Sequence, residues 1–216
     1  MAGASDDRHR ERRLAMVRRQ IEGRGVADPR VLAAMRTVPR HRFVSRALAG
    51  DAYKDHPLPI GAGQTISQPY IVALMAEAAS VGPDDRVLEV GTGSGYGAAV
   101  LAELGASVVT VERHRKLADS ATKVLGGLGY DNATVVCGDG SQGHPPGAPY
   151  DAVVVTAAAP RLPPPLVDQL ADGGRLVIPV GPPSFSQNLT LVRRMGKETT
   201  SERFCPVRFV PLVEEC

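Results

Sequence analysis

The stretch Val87-Leu88-Glu89-Val90-Gly91-Thr92-Gly93-Ser94-Gly95-Tyr96 runs an apolar, β-branched segment straight into three alternating glycines. Its first half is short and almost uniformly apolar, as a strand covered on both faces of a sheet must be. Its second half is bare backbone. The chain can turn tightly there, and a ligand can approach main-chain N–H groups at the start of the next helix. Outward from this point, strand and helix patterns alternate. Arg86–Val90 reads as a strand, Tyr96–Leu104 as a helix, Ser107–Val111 as a strand and residues 116–125 as a helix. Strands follow at Thr134–Cys137 and Ala152–Thr156, then a short helix near 165–170 and a strand at Arg175–Pro179. Such alternation predicts an α/β fold of the Rossmann-like kind, a mostly parallel twisted sheet with helices on both faces. Leu189–Val192 and Val207–Val213 read as further strands pairing at one edge.

Upstream the pattern is helical. Leu14, Val17 and Ile21 recur at the three- and four-residue spacing of one buried stripe, behind an Arg-rich start that is expected to fray. Asp28-Pro29 is an N-cap followed by Pro at the first helical position, opening a helix through Val31, Leu32 and Met35 that ends before Pro39. Residues 57–69, PLPIGAGQTISQP, form a loop rich in Pro and Gly, and a helix runs from Tyr70 to Ala79. The turn Gly82-Pro83-Asp84-Asp85 then leads into the first strand. The expected organisation is one domain over 1–216: an N-terminal helical extension (1–56), a substrate and cofactor loop (57–69) and a cofactor-binding α/β core with closing strands (84–216).

Composition excludes several classes of function. A formal charge of +2, no Trp and 4% aromatic residues leave neither a polyanion-binding face nor a stacking platform, so no nucleic-acid partner is expected. Glu11 and Asp6-Asp7 interrupt the N-terminal arginines, which read as a solvated helix face. No apolar run reaches membrane-spanning length and the N-terminus lacks the apolar core of a secretory signal. Cys137, Cys205 and Cys216 are too dispersed for a disulfide framework or a zinc site. A cytoplasmic protein without a metal is the expectation.

The glycine loop alone does not name its ligand. A dinucleotide fingerprint needs Gly-x-Gly-x-x-Gly, and the position of its last glycine is Tyr96. Glu89, just before the loop, would repel a pyrophosphate but suits a ligand carrying an ammonium and a sulfonium, which points to S-adenosyl-L-methionine. Glu112, about twenty residues past the first glycine, is placed to accept both ribose hydroxyls. Asp139, after the third strand, can accept from an adenine amino group, although a turn carboxylate is an equally ready reading for it alone.

With these residues in place, the block YKDHPLPIGAGQTISQPYIVALM resembles the distinguishing segment of the protein-L-isoaspartate (D-aspartate) O-methyltransferases. The likeness extends over MVRRQIEGRGVADPRVLAAMRTVPRHRFV, VLEVGTGSGYGAAVLAEL, PYDAVVVTAAAPRLPPPLVDQLADGGRLVIPVG and PVRFVPL, nearly the whole chain from Met16 to Val213. It implies the class I S-adenosylmethionine methyltransferase fold. It also implies methyl transfer from that cofactor to the free carboxylate of L-isoaspartyl and D-aspartyl residues in damaged proteins and peptides. Carried over, Ser67 takes the active-site hydroxyl position. Gln64, Thr65 and Ile66 line the cofactor, with Gly91, Gly93, Glu112, Asp139 and Gly140 as its remaining contacts. A monomer with a shallow cleft open to flexible peptides is likewise implied. Because an ionised carboxylate needs no general base, catalysis is expected to come from orientation. Ser67 would hold the carboxylate together with backbone N–H groups around Val180-Gly181.

Two features depart from the family pattern. Gly97 stands where members often carry a larger polar residue, and the Val-Glu-Glu-Cys ending is short. The five histidines show no metal-ligand spacing, and His56 is expected to hydrogen-bond its loop. For Ser67 the plainer role is an N-cap of the following helix. Two other functions stay open: a relative specialised for one aspartyl peptide or protein, and a non-catalytic S-adenosylmethionine-binding protein.

Overall fold

The computed structural model describes residues 2–182 and 186–213. The N-terminal part is helical: α1 (Ala2–Met16), one turn of π-helix (Val17–Ile21), a 3-10 turn and α2 (Pro29–Thr37). Asp28 caps α2 as its sequence requires, its side chain accepting from the N–H groups of Arg30 and Val31. Val17 and Ile21 are fully buried, but Leu14 is 38% exposed and Met16 is buried in its place. The wide π turn lies between Leu14 and Ile21 and shifts the phase of the stripe.

The loop 57–69 is more regular than its Pro and Gly content suggests. It holds an antiparallel hairpin, β1 (Leu58–Gly61) and β2 (Gln64–Ile66), turned at Gly61-Ala62-Gly63 with φ of 97°, 51° and 70°. The helix α3 (Pro69–Ala79) follows it.

Seven strands make the main sheet, in the order β5-β4-β3-β6-β7-β8-β9. They are β3 (Arg86–Val90), β4 (Ser107–Glu112), β5 (Ala133–Cys137), β6 (Tyr150–Val155), β7 (Leu170–Val180), β8 (Gln187–Met195) and β9 (Glu198–Val207). The first five in this order run parallel, and β8 and β9 add an antiparallel meander. The helices α4 (Tyr96–Ala102), α5 (Arg115–Gly127) and α6 (Pro164–Asp168) lie in the connections. Alternate residues of each strand feed two cores. Val87, Val154 and Val177 join Met35, Ala76 and Leu125 on one face, while Leu88, Val153, Val155, Leu176 and Ile178 join Leu166 on the other. The first face is thickly covered by the N-terminal helices with α3, α4 and α5. Among the described residues the second carries the short α6, 3-10 turns and loops.

One expected strand does not form. Residues 208–213 are irregular apart from a single bridge at Pro211, and the edge is instead β9, whose Glu198–Glu202 half is polar and exposed. The apolar reading of Val207–Val213 mistook a covering segment for a strand. Cys216 and the two preceding glutamates lie outside the described residues.

Chain order reverses at β3, which has β4 on one side and β6 on the other. In open α/β sheets the crevice beyond the strand C-termini at such a point is where ligands bind.

Candidate active site

The glycine loop occupies that crevice. Gly91 N–H donates to Val111 O (2.9 Å) and Gly95 N–H to Thr92 O (2.8 Å), so the loop folds back on the ends of β3 and β4. At Gly91, φ is 95° and a Cβ would lie 2.3 Å from Thr156 Oγ1. Only glycine fits there, because the Thr156 hydroxyl donates to Gly91 O (2.6 Å) and pins the loop to the end of β6.

Around the loop a cavity opens, and most of the anticipated residues line it: Gln64, Thr65, Ile66 and Ser67 from the hairpin, Glu89, Gly91 and Gly93, and Glu112 and Gly140. Asp139 is the exception. Both of its oxygens are engaged by Ser141, from the N–H at 2.8 Å and the hydroxyl at 2.9 Å, capping the short turn that places Gly140 on the wall. The N-cap of α3 is Gln68 and no side chain caps it, so Ser67 does not serve as a helix cap.

Two acids dominate the electrostatics. Glu112 is 5% exposed; one oxygen accepts from Gly93 N–H (2.8 Å), the other from His114 N–H (2.9 Å). These bonds fix the carboxylate at the rim of the glycine loop. Glu89 is 1% exposed and accepts from the Thr110 hydroxyl at 2.6 Å. That hydroxyl in turn accepts from Thr92 at 2.7 Å, a buried chain running from loop to strand. Burial pushes the Glu89 carboxyl up to about 8; the Thr110 hydrogen bond opposes this and nearby Glu112 adds to it. Two carboxyl groups and a single arginine, Arg113, on the wall fit a cationic ligand and oppose a pyrophosphate.

Several residues of the site were not anticipated from sequence. Thr110 and Thr156 look like ordinary strand residues until pairing brings them to Glu89 and Gly91. The segment Val210–Val213 also lines the cavity, held by Ala158 N–H to Val210 O (2.8 Å) and Leu212 N–H to Ala158 O (2.8 Å). Val180-Gly181 does not reach the cavity. The Gly181 N–H is already given to Ala159 O at 3.0 Å, while Ala157 and the closing segment do line the cavity. His56 is exposed and its Nδ1 donates to Pro57 O (2.9 Å), a loop contact outside the cavity. Among the described residues no group of His, Cys, Asp and Glu is arranged to hold a metal.

A parallel sheet reversing at β3, a glycine loop in the crevice and an acid at the end of each of the two central strands define a Rossmann-like methyltransferase. The sequence model of the protein-L-isoaspartate(D-aspartate) O-methyltransferases matches residues 11–216. The chain belongs to this family. It is 59% identical over 203 residues to protein-L-isoaspartate O-methyltransferase 2 of Pelobacter propionicus, covering 94% of this chain and 90% of that one. The enzyme of Methanoculleus marisnigri is 57% identical, over 94% and 92%. A solved protein-L-isoaspartate O-methyltransferase superposes with a TM-score of 0.85 at 31% identity, over 95% of this chain and 66% of the other. A Plasmodium falciparum relative solved with S-adenosyl-L-homocysteine gives 0.82 at 26% identity, over 94% and 99%.

Proposed function

We propose that the chain works as a single-domain, monomeric repair enzyme of the cytoplasm. It transfers a methyl group from S-adenosyl-L-methionine to the free carboxylate of L-isoaspartyl and D-aspartyl residues in damaged proteins and peptides. The observation that carries this reading is the cavity itself. An acid-flanked glycine loop lines it together with Gln64–Ser67 and Val210–Val213, and it is open to solvent. The cofactor supplies an activated methyl on a positively charged sulfur. Glu112 holds the ribose side, Glu89 answers the ammonium, and Gln64, Thr65 and Ile66 cover the ligand from the hairpin. The environs of Asp139 and Gly140 take the adenine.

Ser67 is the catalytic residue in this reading. Its hydroxyl and the backbone near Ala157 steady the substrate carboxylate without protonating it. The nucleophile is ionised at neutral pH, so the residues contribute alignment rather than proton transfer. This reading includes no nucleic-acid or membrane partner. The test is mass spectrometry of an isoaspartyl peptide incubated with protein and cofactor. The expected product gains one methyl in place of a proton, then loses methanol to give a succinimide. A stable methyl adduct that survives base treatment would point to another acceptor atom.

A further inference from the structure

Glu89 has one oxygen with a partner and one without. Thr110 donates to Oε2, and among the described residues Oε1 accepts no hydrogen bond. Oε1 lies against the backbone of Gly97 in the first turn of α4, where a Cβ would be only 2.1 Å away. Glu89 and Gly97 therefore share one stretch of cavity wall, and behind them a small apolar pocket reaches Ser67, Val72, Met75 and Val154. A side chain at position 97 would drive the carboxyl out of this place.

Resting on the reading of the cavity as the S-adenosylmethionine site, we propose that the cofactor's ammonium, binding at Glu89 Oε1, expels a proton from the Glu89 carboxyl, and that Gly97 leaves the room for this exchange. The O–H bond at Oε1 breaks, the proton passes to solvent, and the carboxylate pairs with the ammonium. Nothing is oxidised or reduced. With the Thr110 hydroxyl donating to Oε2, the acidic proton belongs on Oε1.

The surroundings support the exchange. From β4, Glu112 faces Glu89 and disfavours its ionisation. From α4 comes Tyr96, whose buried phenol is pushed up to about 12 and stays neutral. The residues α3 and β6 present there, Val72, Met75, Ala76 and Val154, are apolar, with the Ser67 and Thr156 hydroxyls beside them. Neither Arg113 on the cavity wall nor Arg40, stacked 4.8 Å from the centre of the Tyr96 ring, offsets the burial of Glu89. A cation arriving at Oε1 reverses that balance.

Calorimetry of S-adenosylhomocysteine binding at pH 7, in buffers of different ionisation enthalpy, counts the protons exchanged. Most of one proton is expected to leave per site, and none from Glu89→Gln. Tight binding with no proton released overturns the proposal and leaves the cofactor reading standing, whereas no binding at all overturns that reading itself. Gly97→Ala, a change that favours a helix, is expected to weaken binding tenfold or more. The double variant Glu89→Asp/Gly97→Ala, with an acid one methylene shorter, is expected to recover part of the loss. Unchanged affinity in Gly97→Ala overturns the part assigned to Gly97.

Discussion

Ser67 and Glu89 line the same cavity, and the proposed roles of the two differ. Ser67 faces the cleft without capping α3, so Ser67→Ala is expected to lower turnover at least tenfold while changing cofactor affinity by less than about threefold, the loss of one hydrogen bond made chiefly as the methyl moves. Initial rates and calorimetry separate the two; equal losses in both would make Ser67 a cofactor ligand only. Glu89 carries a cost in the free protein. Its folded value, about 8, lies above the ordinary 4.5. The folded state therefore holds the proton more tightly, and its contribution is full below about pH 4.5 and lost as pH rises through 8. Melting from pH 6 to 9 is expected to fall less steeply for Glu89→Gln than for the parent; parallel curves would contradict it. Glu89 and Glu112 were legible in the sequence because strand ends fix where they point. Asp139 was less so, since an Asp followed by Gly-Ser bends its carboxylate onto its own turn.

Elements were readable wherever burial imposes a period. The strand Arg86–Val90 and the cap of α2 appear as the pattern and the Asp-Pro pair require. Where exposure removes the period, the reading fails. The Glu198–Glu202 half of β9 has no apolar face to betray it, and the hairpin 58–66 is set by left-handed turn residues rather than by alternation. The N-terminal elements are expected to contribute stability without touching chemistry. Asp28→Ala removes two cap hydrogen bonds and is expected to cost about 1 kcal/mol. Chemical denaturation reads this, with turnover of the folded fraction unchanged; a fall in turnover would mean that α2 reaches the site.

At the scale of the molecule, distant parts of the chain close one cavity. Residues 64–67 and 210–213 line the same cavity as the glycine loop, and the closing segment is fastened through Ala158 rather than by a strand. Truncation after Val207 is expected to keep the sheet, whose edge strand β9 is then complete, and to weaken cofactor binding tenfold or more. Circular dichroism with calorimetry tests this, and intact affinity would show that the segment serves the substrate alone. The apolar Val207–Val213 pattern announced burial, but not the kind of element that provides it. The central claim, methylation of isoaspartyl carboxylates, is tested most directly with labelled S-adenosylmethionine and two peptides that differ only in isoaspartate or aspartate at one position. Base-labile label on the isoaspartyl peptide alone is the predicted result. Label on the aspartyl peptide, or on neither while the cofactor still binds, would contradict it.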